Sequence, residues 1–321
     1  MSLPRVSLQA LDAFERVALA GSMQVAAREM GLSISVVSHH IARLEEQLGV
    51  VLLDRTTRPF NLTREGTQAL EHLSKGLLHL RRATSETVIS GLTGTRSLTI
   101  GIVEDFESSV TPALALILAR QMPHAALSIS TILSHDAAEL LRRGEIDLAV
   151  SSSVEGAVAG VTAAPILRDP FVMAVPKEMA TDPADLLSRE NGLPFLRFNP
   201  KHLIGKQIEA HLARSRIELA NRYSFDSVQS IMAVIAGNEG WSLITPLGYM
   251  RARRFAESVR LDPLPLAAFA RTIALTSRAG FDEQIVQAIA AVLRQIIQRE
   301  VVGPASAQFP WLDGSFVVIE P

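Results

Sequence analysis

At 321 residues the chain exceeds what one compact core fills, so two or more domains are expected. Nearly half of it is apolar and a fifth charged, as in an ordinary soluble protein, while a net charge of −2 argues against a protein built to coat nucleic acid. With no cysteine, disulfide and thiolate chemistry are excluded; with no leader-like start and no uncharged run of membrane-spanning length, a cytoplasmic protein is expected.

Taken in chain order, residues 7–20 read as a helix, with Ser7 as N-cap and Leu8, Leu11, Phe14 and Val17 on one face. Gly21 breaks it and Ser22 can cap a short second helix that ends near Gly31. A third helix starts at Ser33 or Ser35 and runs to about Leu48, before Gly49. This spacing is that of a helix-turn-helix, whose third helix enters the DNA major groove. Ser33, Ile34, Ser35, Val36, Ser38, His39 and His40 would face bases, Arg43 a phosphate, and Val37, Ile41 and Leu44 the core. Two apolar pieces, 50–53 and 60–62, flank a polar turn and form a small wing. Its Arg55 and Arg58 can reach phosphates or a minor groove. The competing reading is a trihelical unit that only packs on a protein partner. Residues 1–65 hold seven arginines and seven acids, so charge does not decide between them.

From residue 63 a long helix carries Leu70, Leu73, Leu77 and Leu80 as a coiled-coil seam, weakly continued by Thr84 and Thr87, with a hinge at 91–95. Dimerisation through this helix is expected. Beyond residue 96 strands and helices alternate. Strands are expected at 97–103, 127–133, 146–150, 171–175, 223–225, 241–245 and 272–276. The helices between and after them fall at 110–121, 136–143, 203–214, 227–236 and 281–300. Such βαβ alternation implies mostly parallel sheets in two lobes with a cleft between them.

The runs Ala26-Ala27-Arg28-Glu29-Met30-Gly31-Leu32-Ser33 and Val37-Ser38-His39-His40-Ile41-Ala42-Arg43-Leu44-Glu45-Glu46-Gln47-Leu48-Gly49-Val50 resemble the LysR-type transcriptional regulators. So do Leu53-Asp54-Arg55 and Leu62-Thr63-Arg64-Glu65-Gly66, then Gly144-Glu145-Ile146-Asp147-Leu148-Ala149 and Gly240-Trp241-Ser242-Leu243-Ile244-Thr245-Pro246. The resemblance covers about residues 7–300. It implies an α/β fold class with an N-terminal all-α winged helix-turn-helix (1–65), a linker helix and hinge (66–95) and a two-lobed, periplasmic-binding-protein-like effector domain (96–302). Lobe I would take about 96–166 and 266–302, lobe II 167–265, and a tail 303–321. It further implies a homodimer or homotetramer on an interrupted palindrome of double-stranded DNA, a small-molecule effector, and contact with RNA polymerase. The family often has Gln where Ile34 stands and Arg where His39 stands. Gln pairs with adenine through two hydrogen bonds and Ile cannot, so the operator sequence does not carry over.

In open α/β sheets ligands sit beyond the carboxyl ends of strands. Three such places are Glu104 to Ser109, which includes Asp105, Ser108 and Ser109; Ser134-His135-Asp136; and Asp226-Ser227. The family's pocket positions map to Asp105, Ser134, Ser152, Phe198 and Asp226. Glu104, Asp105 and Asp226 would repel a carboxylate, so a neutral or amine effector is the expectation, unless these acids only cap helices or face solvent. The chain carries no Gly-x-Ser-x-Gly run, no phosphate loop and no metal-ligand spacing among its eight histidines, so neither catalysis nor a metal or other cofactor is expected. A small-molecule-binding module without DNA contacts is the alternative. The tail holds an apolar strand at 315–319, which could pack on its own lobe or on a neighbouring subunit.

Overall fold

The structure, a computed structural model, describes residues 6–54, 60–88, 97–152, 161–180, 182–187, 193–278 and 280–320. It divides into two compact units, Met1–Thr87 and Val88–Pro321.

In the first unit α1 (Leu8–Ala20), α2 (Met23–Glu29) and α3 (Ile34–Leu48) are each started by a serine. Ser7, Ser22 and Ser33 accept from Ala10, Val25 and Val36 N–H respectively, which satisfies donors the helices cannot. Gly21 and Gly49 stop α1 and α3 in the left-handed region, as the sequence predicts. Phe14, Val17, Val37, Ile41 and Leu44 are fully buried and make the core. The wing pairs β1 (Leu53–Asp54) with β2 (Asn61–Leu62). It is tied to α3 by the Glu45 carboxylate, which accepts from Leu52 N–H at 2.8 Å and Leu53 N–H at 3.2 Å. α4 (Arg64–Val88) follows, with Thr63 Oγ1 accepting from Gly66 N–H and donating to Val51 O. A Cβ on Gly66 would fall 2.0 Å from Leu52 O, so only glycine fits there. The start of the expected dimer seam differs from expectation. Leu70 and Leu73 are half-buried against the core of their own unit, so that end of the seam is partly covered within one chain. The side chain of Leu80, those of Thr84 and Thr87, and the hinge at 91–95 lie outside the described residues.

The second unit begins with β3 (Ser97–Val103), α5 (Val110–Gln121), β4 (Ala126–Ile132), α6 (Ala137–Arg143) and β5 (Leu148–Ser152). β6 (Val161–Pro170) then leads across to β7 (Val172–Pro176), followed by β8 (Leu196–Phe198), α7 (Leu203–Arg214), β9 (Tyr223–Phe225), α8 (Val228–Ala236), β10 (Ser242–Ile244), α9 (Pro246–Arg251) and β11 (Val259–Asp262). β12 (Ala270–Arg278) returns to the first lobe. There α10 (Glu283–Ile297), a π-helical turn (Gln298–Val302), α11 (Gly303–Gln308) and β13 (Val317–Val318) finish the chain.

The sheets are mixed rather than mostly parallel. Lobe I has the order β13-β6-β12-β5-β3-β4, in which only β3–β4 and β3–β5 are parallel. Lobe II has an antiparallel β10-β7-β11 sheet and a parallel β8–β9 pair. The reason is connectivity: β6 leaves lobe I and β12 re-enters it alongside, so the two must run in opposite directions. At this double crossing Phe269 stacks on Phe171 (centroids 4.2 Å apart) and on His211 (3.8 Å). The passages lie a few residues beyond the expected 166 and 266.

The expected helix over 281–300 forms as α10 but does not stop there; the π-helical turn and α11 extend it through Gly303 and Pro304. The tail then settles on its own lobe. β13 pairs with β6, Phe316 is fully buried, and Arg294 donates to Ile319 O at 2.7 Å and to Pro165 O at 2.9 Å. Among the described residues no helix is long and apolar enough to cross a membrane.

Candidate DNA-binding face and effector cleft

α3 offers a continuous outer face. Ile34 (50% exposed), Ser35, Val36 (40%), His39 and Arg43 are exposed, while Ser38 and His40 are half-buried beside the buried stripe. Ser33 has a structural duty as the N-cap, and its hydroxyl also lies 2.9 Å from that of Ser35. Adjacent residues of a helix point about 100° apart, so His39 is exposed while His40 is half-buried. Arg55 and Arg58 lie outside the described residues.

The cleft follows from strand direction. β3, β4 and β5 run parallel and end at Val103, Ile132 and Ser152, while in lobe II the parallel β8 and β9 end at Phe198 and Phe225. A cavity of about 270 Å³ lies where these ends meet, a size suited to a small molecule. Asp105, Ser134, Ser152, Phe198 and Asp226 all line it. Ser108 and Ser109 do not; they face a different cavity, because the turn after Glu104-Asp105-Phe106 carries them past the cleft.

The polar groups of the cleft are unequally engaged. Ser134 Oγ accepts from Ser152 N–H at 3.2 Å, whereas Ser152 Oγ is buried with no hydrogen-bond partner. Asp226 is exposed, accepting from Asn199 Nδ2 at 2.8 Å and lying 3.1 Å from His202 Nε2. His202, with Asn199 and against a small desolvation cost, holds the Asp226 carboxyl below its usual range. His135 of lobe I and His202 of lobe II also line the cavity, ring centroids 6.3 Å apart. The sequence reading missed both His202 and Arg271.

Arg271 changes the electrostatics. It is buried, with Nε donating to Asp169 at 2.9 Å and Nη2 to Asp105 at 2.8 Å and Thr245 Oγ1 at 3.2 Å. Burial disfavours its charge, but Asp105 and Asp169 outweigh that and raise its pKa further. Burial pushes the Asp169 carboxyl up, opposed by Arg271. Glu104 has its own cation, Arg251, at 2.8 Å. Glu104 and Asp105 therefore each meet a guanidinium, but Arg271 is shared with Asp169, and the third acid, Asp226, faces only His202 and Asn199. The case against a carboxylate effector is weakened for the first two acids and stands for Asp226. Among the described residues no group of three or more His, Asp or Glu side chains stands ready to hold a metal ion.

A helix-turn-helix with an exposed third helix, on one chain with a cavity between two α/β lobes, defines a ligand-responsive transcription regulator rather than an enzyme. The comparisons give the family. A model described as the LysR substrate binding domain matches residues 93–298, and one for the bacterial regulatory helix-turn-helix protein, lysR family, matches residues 8–67. The chain belongs to the LysR family of transcriptional regulators. A probable hydrogen peroxide-inducible genes activator of Mycobacterium avium is 28% identical over 243 residues, 72% of this chain and 75% of that protein. An uncharacterized HTH-type transcriptional regulator of Sinorhizobium fredii is 46% identical over 84 residues, spanning 26% of this chain and only 28% of its own length. Among solved structures, Corynebacterium glutamicum OxyR in an H2O2-bound mutant form superposes with a TM-score of 0.56 at 20% identity, covering 95% of this chain and 96% of that one. Vibrio fischeri DarR in complex with DNA gives 0.50 at 16% identity, covering 90% and 99%. These likenesses are of fold.

Proposed function

We propose that Ser35, Ser38, His39 and Arg43, with Ser33 and Ile34 at the helix start, lie along the bases and phosphates of an interrupted palindrome, and that Arg55 and Arg58 of the wing reach the backbone beside them. The observation that carries this reading is the exposed face of α3 opposite a fully buried Val37-Ile41-Leu44 stripe. Two chains present two such faces as a homodimer or homotetramer, in the cytoplasm, and contact with RNA polymerase turns occupancy into altered transcription.

The effector sits among Asp105, Ser134, Ser152, Phe198 and Asp226 and favours one closure of the lobes, which shifts the DNA-binding heads. It is a small, largely apolar molecule with a polar group for Ser152 Oγ, the buried hydroxyl without a partner. The Mycobacterium relative's name suggests a peroxide response, but a thiol-based one is closed to a chain without cysteine. Gel-shift titration of the chain on its own upstream DNA, with and without candidate effectors, tests the proposal. A saturable effector response that leaves DNA unbound under all conditions would favour the pure ligand-binding module.

A further inference from the structure

A second cavity, of about 330 Å³, shares Asp105 with the cleft but is otherwise built from different residues. Its cations are Arg251 at the end of α9 and Arg253 and Arg254 in the turn that follows. Its acids are already committed: Asp105 to Arg271 at 2.8 Å and Glu300 to Arg299 at 2.7 Å. Arg253 and Arg254 are exposed, and among the described residues no carboxylate pairs with either. Arg251 Nη1 is buried and ion-paired with Glu104 at 2.8 Å, but makes no hydrogen bond; its Nη2 lies 3.9 Å from Glu107. Arg253 and Arg254 therefore give the cavity a surplus of guanidinium donors, beside an Arg251 whose charge is shared with Glu104.

The remaining wall fits the same ligand. Ser108 and Ser109 stand at the start of the 12-residue α5, and Ser109 makes no capping hydrogen bond, so its hydroxyl is free beside the positive end of the helix. Leu247, Met250 and Val301 supply an apolar side. We propose that this cavity binds a phosphate-bearing small molecule, distinct from the effector of the cleft. Three guanidiniums, two hydroxyls and a helix start suit a tetrahedral dianion with many acceptor oxygens better than a planar carboxylate. The two sites are coupled through one turn. Arg251 holds Glu104, which lines the cleft, so a phosphate that takes Arg251 frees a negative charge there. By linkage each ligand then changes the affinity of the other.

The test titrates the full chain, in buffer free of phosphate and sulfate, with phenyl phosphate and inorganic phosphate, using phenol as the uncharged control and calorimetry or phosphorus NMR as readout. Saturable binding of phenyl phosphate at one site per chain is expected, weakened about tenfold or more by the double substitution Arg253→Gln/Arg254→Gln and unchanged by Arg120→Gln, an exposed arginine in the last turn of α5 that lines neither cavity. Both arginines are exposed, so the double variant folds, which its circular dichroism checks. Absence of saturation into the millimolar range, equal affinity in the double variant, or an equal loss of phosphate binding in Arg120→Gln overturns the proposal.

Discussion

Arg271 and Asp169 are cross-strand partners in the β6–β12 ladder, where the chain passes twice between its lobes, and the guanidinium Nε donates to the carboxylate at 2.9 Å. Asp169 is wholly buried; its other oxygen accepts from Leu247 N–H at the start of α9. One ion pair thus ties both crossings, a lobe II helix and, through Asp105, the rim of the effector cleft. Removing one partner leaves a buried charge unpaired. Arg271→Met is expected to lower unfolding stability by about 3–5 kcal/mol in urea titration. Arg271→Lys should lose less, since an ammonium keeps the charge but not the fork. A loss below about 1 kcal/mol in Arg271→Met would mean the pair does not hold the crossing.

The two cleft serines predict opposite behaviour. Ser134→Ala deletes the acceptor of Ser152 N–H, so the free protein should lose about 1 kcal/mol of stability. Ser152→Ala deletes a buried hydroxyl that has no partner, so the free protein should keep or gain stability while effector affinity falls. Thermal unfolding with and without effector reads both, and a destabilised apo Ser152→Ala would show that the hydroxyl is already satisfied.

On α3, Arg43 is assigned to phosphate and carries no base information. Arg43→Ala should weaken binding about equally on specific and scrambled DNA and reduce the slope of log affinity against log salt by about 1. Ile34 stands where a base edge would be read, so Ile34→Gln should change the preferred operator sequence, seen by selection from random duplexes. An unchanged salt slope in Arg43→Ala removes Arg43 from the interface.

His211 gives a pH dependence of known sign. Burial, helped by Arg214, holds its pKa below the usual histidine value, and the ring stacks on Phe269 at the crossing. The unfolded chain therefore binds more protons than the folded one as pH falls through about 6.5, so stability is full above that value and declines below it. Denaturation curves between pH 7.5 and 5 should show the decline, and His211→Phe should flatten part of it. Equal pH slopes in the two proteins would contradict this assignment.

Local patterns carried much of the fold into the sequence. The serine caps, the Val37-Ile41-Leu44 stripe and the strand at 97–103 are short-range signals, and each forms where its residues predict. β6 was not legible because Pro165 and Pro170 argue against a central strand. The structure accommodates Pro165 where the ladder with β12 shifts register between Ile273 and Ala274. Arg271 was hidden one residue before the expected strand at 272–276; its sign was a charge in the same alternation as the buried Ile273 and Leu275. The five cleft positions that came from the family resemblance do converge, but their charge balance depended on a partner 166 residues away in sequence. Pairings at that distance leave no periodic trace.

The most direct test of the account is footprinting of the intact chain on its own upstream DNA at low salt, beside Arg43→Ala and Ser38→Ala. Two protected half-sites on one face of the duplex, separated by a whole number of helical turns and lost or weakened in both variants, is the result predicted. Protection that survives both substitutions, or no protection at all, would contradict the placement of α3 on DNA.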